Sequence, residues 1–139
     1  MFDLAKYEEK IDKLIRDDCT CSYMSNSKWI KLFKALDTDE ITLNHISLKK
    51  ISNLESFFTY MPKSEDLDLK WVTEGYNECK YFYKEIEWVE FIACYKPSDI
   101  PAEYEYQSID LVRNIISSTG LFQVEESLNG LKVFGYKKT

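Results

Sequence analysis

The apolar positions of the chain change period several times, and each change marks an element. Over residues 2–16, Leu4, Tyr7, Ile11, Leu14 and Ile15 recur three and four apart, with most acids and lysines opposite. That spacing predicts an amphipathic helix. Asp17-Asp18 and a short polar run up to Met24 end it. Ser25-Asn26-Ser27 supplies capping side chains for a second helix, with Trp29, Leu32, Phe33 and Leu36 on one face. Asp37-Thr38-Asp39 closes that helix. Residues 41–51, ITLNHISLKKI, are rich in β-branched residues and predict a strand, with alternation slipping between His45 and Ile46. Residues 51–60 fit two patterns. Ile51, Leu54, Phe57 and Phe58 have helical spacing, whereas Phe57-Phe58-Thr59-Tyr60 suits a strand.

Met61 to Asp68 reads as a loop, 69–73 as a short strand holding Trp71, and Glu74-Gly75-Tyr76-Asn77 as a turn. Over 79–95, Phe82, Ile86 and Trp88 share one parity, and Val89, Phe91, Ala93 and Tyr95 the other. The phase change predicts one strand bent or bulged near Trp88-Val89, or two strands. Pro97 to Pro101 is a loop, and Tyr104 to Gln107 leads into the next helix. Ser108 caps that helix, which turns Ile109, Val112, Ile115 and Ile116 inward and places Gly120 where a left-handed terminal residue belongs. Asn129-Gly130 is the preferred pair for a type I′ turn. That turn pairs Leu128 with Leu131, Glu126 with Val133 and Val124 with Gly135. The order of elements predicts an α+β fold: a largely antiparallel sheet with helices packed on one face, and a C-terminal helix followed by a β-hairpin. A length of 139 residues fits a single domain, 1–139.

Charge changes the picture in one region. Residues 71–106 hold 10 of the 21 aromatic residues, and eight acids against three lysines, which is −5 of the whole-chain −6. Tyr81 and Tyr83 share parity with Glu85 and Glu87, so these four are expected on an exposed strand face. Tyrosine beside acid is the composition of protein-binding hot spots. Trp71 and Trp88 are expected to be largely buried. A pI near 4.9 argues against nucleic-acid binding and favours a basic protein partner, whose approach the field would speed. No apolar run reaches the ~20 residues of a membrane helix, and the N-terminus lacks the regions of a signal peptide, so a cytoplasmic protein is expected.

The catalytic inventory is thin. Four glycines leave no phosphate-cradling loop. Cys19, Cys21, Cys79 and Cys94 lack zinc-knuckle spacing and read as free thiols. His45 is the only histidine, a general base only if a nucleophile lies nearby. Glu85, Glu87 and Glu90 supply candidates for the pair of carboxylates that glycoside cleavage uses, with Glu85 and Glu87 ~6.6 Å apart by strand rise, or simply a solvated face. No cofactor or metal is expected. Two fragments, Asn26-Ser27-Lys28-Trp29-Ile30-Lys31-Leu32-Phe33 and Glu85-Ile86-Glu87-Trp88-Val89-Glu90, resemble a family of small uncharacterised bacterial proteins. Some relatives of that kind are immunity proteins of toxin systems. The resemblance implies a small α+β protein and carries over no catalytic residue. The reading that results is a non-enzymatic protein-binding module, immunity- or antitoxin-like, binding through Tyr81, Tyr83, Glu85 and Glu87. A small carboxylate-dependent hydrolase and a homodimeric structural module remain as alternatives.

Overall fold

The computed structural model describes residues 2–75, 78–95 and 104–138. Helix α1 (Leu4–Asp18) starts at Asp3, whose carboxylate accepts from the Ala5 and Lys6 N–H groups, and runs into strand β1 (Cys19–Ser22). Helix α2 (Asn26–Leu36) starts at Ser25, whose hydroxyl accepts from Lys28 N–H, and ends at Asp37. Strands β2 (His45–Lys50) and β3 (Phe57–Tyr60) follow, then a 3-10 turn (Ser64–Asp66), strands β4 (Trp71–Glu74) and β5 (Glu78–Phe82), and a second 3-10 turn (Tyr83–Glu85). Strand β6 (Ile86–Ile92), the short pair β7 (Cys94–Tyr95) and β8 (Glu105–Tyr106), and helix α3 (Ile109–Thr119) come next. Strands β9 (Val124–Ser127), β10 (Gly130–Phe134) and β11 (Tyr136–Lys138) complete the chain.

The main sheet has five strands in the order β3-β2-β6-β10-β9, with antiparallel neighbours. Two-stranded pairs β1-β11, β4-β5 and β7-β8 flank it. The α+β class, the antiparallel sheet and the helix-then-hairpin C-terminus are therefore those the sequence predicts. Alternation along β2, β6 and β10 gives the sheet two faces of different character. Ile46, Leu48, Val89, Phe91, Leu131 and Val133 form the first face and cluster with Trp29, Leu32, Phe33 and Leu36 of α2 and Val112 and Ile116 of α3. Helix α1 stands apart. Its Ile11 packs with Ile51 and Tyr136 in a second, smaller cluster, joined by Tyr7, Leu14 and Ile15.

Several local readings change. Residues 41–44 do not join the strand, because the N–H groups of Thr42 and Asn44 donate to Ser108 Oγ and Gln107 Oε1 and tie this segment to the start of α3. Residues 57–60 resolve as a strand. The break in 79–95 falls at Tyr83–Glu85, and a bulge at Glu87 separates the Lys49–Trp88 and Lys50–Ile86 pairs of β2 and β6. Trp71 and Trp88 are for the most part buried, as expected, but neither belongs to a hydrophobic cluster. Gly120 is extended (φ 171°) and forms no left-handed cap. The predicted Glu74–Asn77 turn is described only as far as Gly75, which has φ +48°; Tyr76, Asn77 and the predicted Pro97–Pro101 loop lie outside the described residues.

The C-terminal hairpin is shifted by two residues. Leu131 pairs with Glu126 and Val133 with Val124, so Leu128 and Asn129 form the turn and Leu128 is fully exposed. Gly130 lies in the strand, opposite Ile92 of β6, where a Cβ would stand 1.9 Å from the Phe91 carbonyl oxygen. The glycine serves close backbone approach, not the turn. A shift of two residues preserves parity, so Val124, Glu126, Leu131 and Val133 still share a face.

Candidate functional site

The four residues predicted to form an exposed binding face are gathered instead into the packed interior and its charged margin. Tyr81 and Tyr83 are 1% and 0% exposed, and Glu85 is 1% exposed. The cause is the 3-10 turn at Tyr83–Glu85, which interrupts strand alternation, so parity cannot be counted from Tyr81 to Glu87. Tyr81 and Tyr83 join the main core. Tyr83 donates to the Asp68 carbonyl at 2.8 Å, whereas the buried Tyr81 hydroxyl has no partner among the described residues. Burial pushes both phenols well above the ordinary tyrosine range.

Glu85 is held at both carboxylate oxygens. Oε1 accepts a short hydrogen bond from the Tyr7 hydroxyl and lies 3.7 Å from Lys50 Nζ; Oε2 accepts from Phe82 N–H at 2.8 Å. Burial first, and then the bond to Glu85, raises Tyr7 far above its usual range. Nearby, burial and then the Glu85 charge push the Cys79 thiol up to about 11. Glu87, at the bulge, meets Lys49 at 2.8 Å and Lys138 at 3.3 Å. Lys84 meets Glu8 and, at 2.8 Å, Asp12, which fastens α1 to the turn. Buried acids with partners at this density hold structure together. Glu85 is left with no open side for substrate, whereas Glu87, its side chain 16% exposed, borders a cleft with Tyr23, Phe134 and Lys138.

The exposed aromatic surface lies elsewhere. On the second face of the sheet, opposite α2 and α3, Phe58, Ser47, Glu90, Lys132 and Glu125 form a cross-strand row spanning all five strands. Lys49, Trp88 and Phe134 form the adjacent row, and Lys132 Nζ lies 4.1 Å from the centre of the Trp88 ring. Phe58 and Glu125 are exposed and Glu90, Trp88, Lys132 and Phe134 half-buried, whereas Ser47 and Lys49 are buried, and where this side continues to Ile51 and Tyr136 helix α1 packs on it through Ile11. Strand β7 reaches over its β3 end, and β11 borders the end at Phe134. Tyr95 stacks on His45 with ring centres 4.1 Å apart and meets Phe58 edge-on at 5.3 Å.

His45 is mostly enclosed, its side chain 14% exposed, between Tyr95 and Tyr60. Its Nδ1 lies 3.3 Å from Glu105 Oε2 but makes no aligned hydrogen bond. A cleft of about 560 Å³ opens beside it, with Lys63, Lys80, Asp66 and Glu74 among its walls. Among the described residues, no group of three His, Cys, Asp or Glu could hold a metal ion, and all four cysteines are free thiols.

Sequence reasoning missed Phe58 and Tyr60 because residues 51–60 fitted two periods. It missed the setting of His45 because Tyr60, Tyr95 and Glu105 reach it from three separate elements. It also missed Gln107, a buried amide whose Oε1 accepts from Asn44 and His45 N–H and whose Nε2 donates to the His45 and Ile92 carbonyls. No helix of the described structure is long and apolar enough to cross a membrane. No curated protein and no solved structure matches the chain. Residues 11–139 match the model of the Family of unknown function (DUF6678), and the chain belongs to that family.

Proposed function

We propose that this protein is a non-enzymatic protein-binding module whose contact surface is the open face of the five-stranded sheet. The observation that carries the reading is the pair of rows on that face, where Trp88 and Phe134 stand half-buried among Glu90, Lys132 and Glu125. An antiparallel sheet can leave one face to water, but rings rimmed by charge on such a face form a hot-spot pattern. The net charge of −6 favours a basic partner, because complementary fields raise the association rate. An inhibitor that neutralises a basic toxin has these requirements: a small rigid body, a steering charge and an aromatic grip. We therefore place the protein in the immunity or antitoxin class.

The test is a binding-kinetics measurement on the partner captured from the native host. Trp88→Ala and Phe134→Ala are expected to speed dissociation about tenfold or more, as loss of a hot-spot ring does. Added salt is expected to slow association, because exposed charges are screened within ~8 Å at physiological ionic strength. A partner whose dissociation is unchanged in both variants sinks the surface assignment. A partner with toxic activity that the chain leaves unaffected sinks the inhibitor class.

A further inference from the structure

The two edges of the main sheet are not equivalent. Strand β9, at one edge, reads VEES, and its Glu126 pairs with Arg113 of α3. Charge is the usual guard on a free edge. Strand β3, at the other edge, reads FFTY, with no charge and no proline, and exposes Phe58 (60%) and Tyr60 (71%). Its backbone is also available. Met61 N–H donates to the Asn44 carbonyl at 2.8 Å, which fixes the phase of the β2–β3 ladder. In that phase the 46/59 and 48/57 pairs are hydrogen-bonded, and the N–H and C=O groups of Phe58 and Tyr60 point away from β2. Among the described residues no strand meets them.

We propose that two copies of the chain pair antiparallel through β3, with a two-fold axis at Thr59, joining two five-stranded sheets into one. Self-complementarity favours a second copy over any other occupant. In this register Phe58 lies opposite the partner's Tyr60, and Tyr60 opposite the partner's Phe58. Each pair exchanges two backbone hydrogen bonds and sets two exposed rings side by side on the open face. The ends of the strand are complementary too. Exposed Glu55 precedes β3 and exposed Lys63 follows it, so antiparallel pairing brings each acid toward the lysine of the other copy. A two-fold interface produces every such contact twice. Pro62, with no N–H to donate, stops the new ladder just beyond Tyr60. Because the axis runs perpendicular to the sheet, both open faces point the same way, and the dimer presents the surface proposed above twice over.

Sedimentation equilibrium on the purified full-length chain tests the pairing. A concentration-dependent monomer–dimer equilibrium is expected. Phe58→Lys and Tyr60→Lys are each expected to raise the dimer dissociation constant about tenfold or more, a like-charge and lost-ring effect of ordinary size. Their circular dichroism should match the parent, since both side chains are mostly exposed and touch the rings of Tyr95 and His45 at their edges. Glu55→Lys and Lys63→Glu should each weaken the dimer, and the double exchange should restore it. Trp88→Ala, which tests the open face, should leave it unchanged. A chain that stays monomeric up to about 1 mM overturns the proposal, even if β3 accepts a strand from another protein. So does a dimer indifferent to Phe58→Lys and Tyr60→Lys, and a charge exchange that fails to restore association overturns the Thr59 register.

Discussion

Around Glu85, acid, phenol and amine are packed inward against one another; around Phe58 and Tyr60, rings stand in solvent beside unpaired backbone. The composition would suggest the reverse, since charge belongs in water and rings in the core. The contrast comes from backbone geometry. At Tyr83–Glu85 the chain turns in a 3-10 conformation, and α1 brings Tyr7, Glu8 and Asp12 across it to satisfy each polar group. At β3 the strand simply ends the sheet, and the faces available to its rings are those that pairing with β2 leaves open. Polar groups were brought inward where partners were on hand, and apolar groups stayed outside where none came.

The strongest attempt to break this contrast is Glu85→Ala. It leaves Lys50 and the Tyr7 hydroxyl without their acceptor, and removing one partner of a buried charge pair costs ~3–5 kcal/mol. Chemical denaturation should show a loss of that size; a loss below ~0.5 kcal/mol, typical of surface sites, would mean that the cluster contributes no stability. Gly130→Ala comes next. Its methyl would collide with the Phe91 carbonyl, and overpacking costs typically ~1–3 kcal/mol. An unchanged melting temperature would refute the β6–β10 register at that point.

Alkaline titration sharpens the same comparison. Cys79 is raised from 9.0 to about 11, and Tyr136 from 10.0 to about 12, in both cases chiefly by burial. Above pH 9 the unfolded thiol releases its proton while the folded one keeps it. The folded state then binds more protons, and stability falls as pH rises, first through Cys79 and Cys19, whose thiol burial also raises, and from pH 10 through Tyr136 and the other raised phenols Tyr7, Tyr81 and Tyr83. Thermal melts are expected to decline between pH 9 and 12, with Cys79→Ala making the first part of that decline shallower. An equally steep first part in that variant would remove Cys79 from the account. The smallest effect belongs to the other region. Tyr60→Ser should change monomer stability by less than ~0.5 kcal/mol, as exposed substitutions do; a larger loss would show that the ring supports His45 and does not merely lie beside it.

The helices were legible because the 3.6-residue spacing of Trp29, Leu32, Phe33 and Leu36, and of Val112 and Ile116, sets burial directly, and all six are buried, while Ile109 and Ile115 pack at the core's edge half-buried. The bulge was legible within a residue or two, since the parity break read at Trp88-Val89 falls beside Glu87, where the β2–β6 register shifts. Parity failed where it was carried across a turn: Tyr81 and Glu87 belong to different strands, and their shared parity had no meaning. The hairpin turn failed for a different reason. Asn-Gly favours a turn locally, but the approach of β6 needs the missing Cβ one position later, and the sheet prevailed over the local preference. The enclosure of His45 was not legible at all, because it depends on residues 15 to 60 positions away along the chain.

One contact has a kinetic consequence. Gln107 uses its amide as a short extra rung, reaching Asn44 and His45, more than sixty residues back, and the Ile92 carbonyl. A backbone ladder can zip from a turn outward, one rung at a time. This rung cannot, since it exists only once β2, β6 and the start of α3 have already arrived. It is therefore a late contact in assembly and an early one to lose, so its energy should appear mainly in the rate of unfolding. The corner of the sheet beside His45 is closed by a latch that sets how long the native state persists more than how fast it is reached.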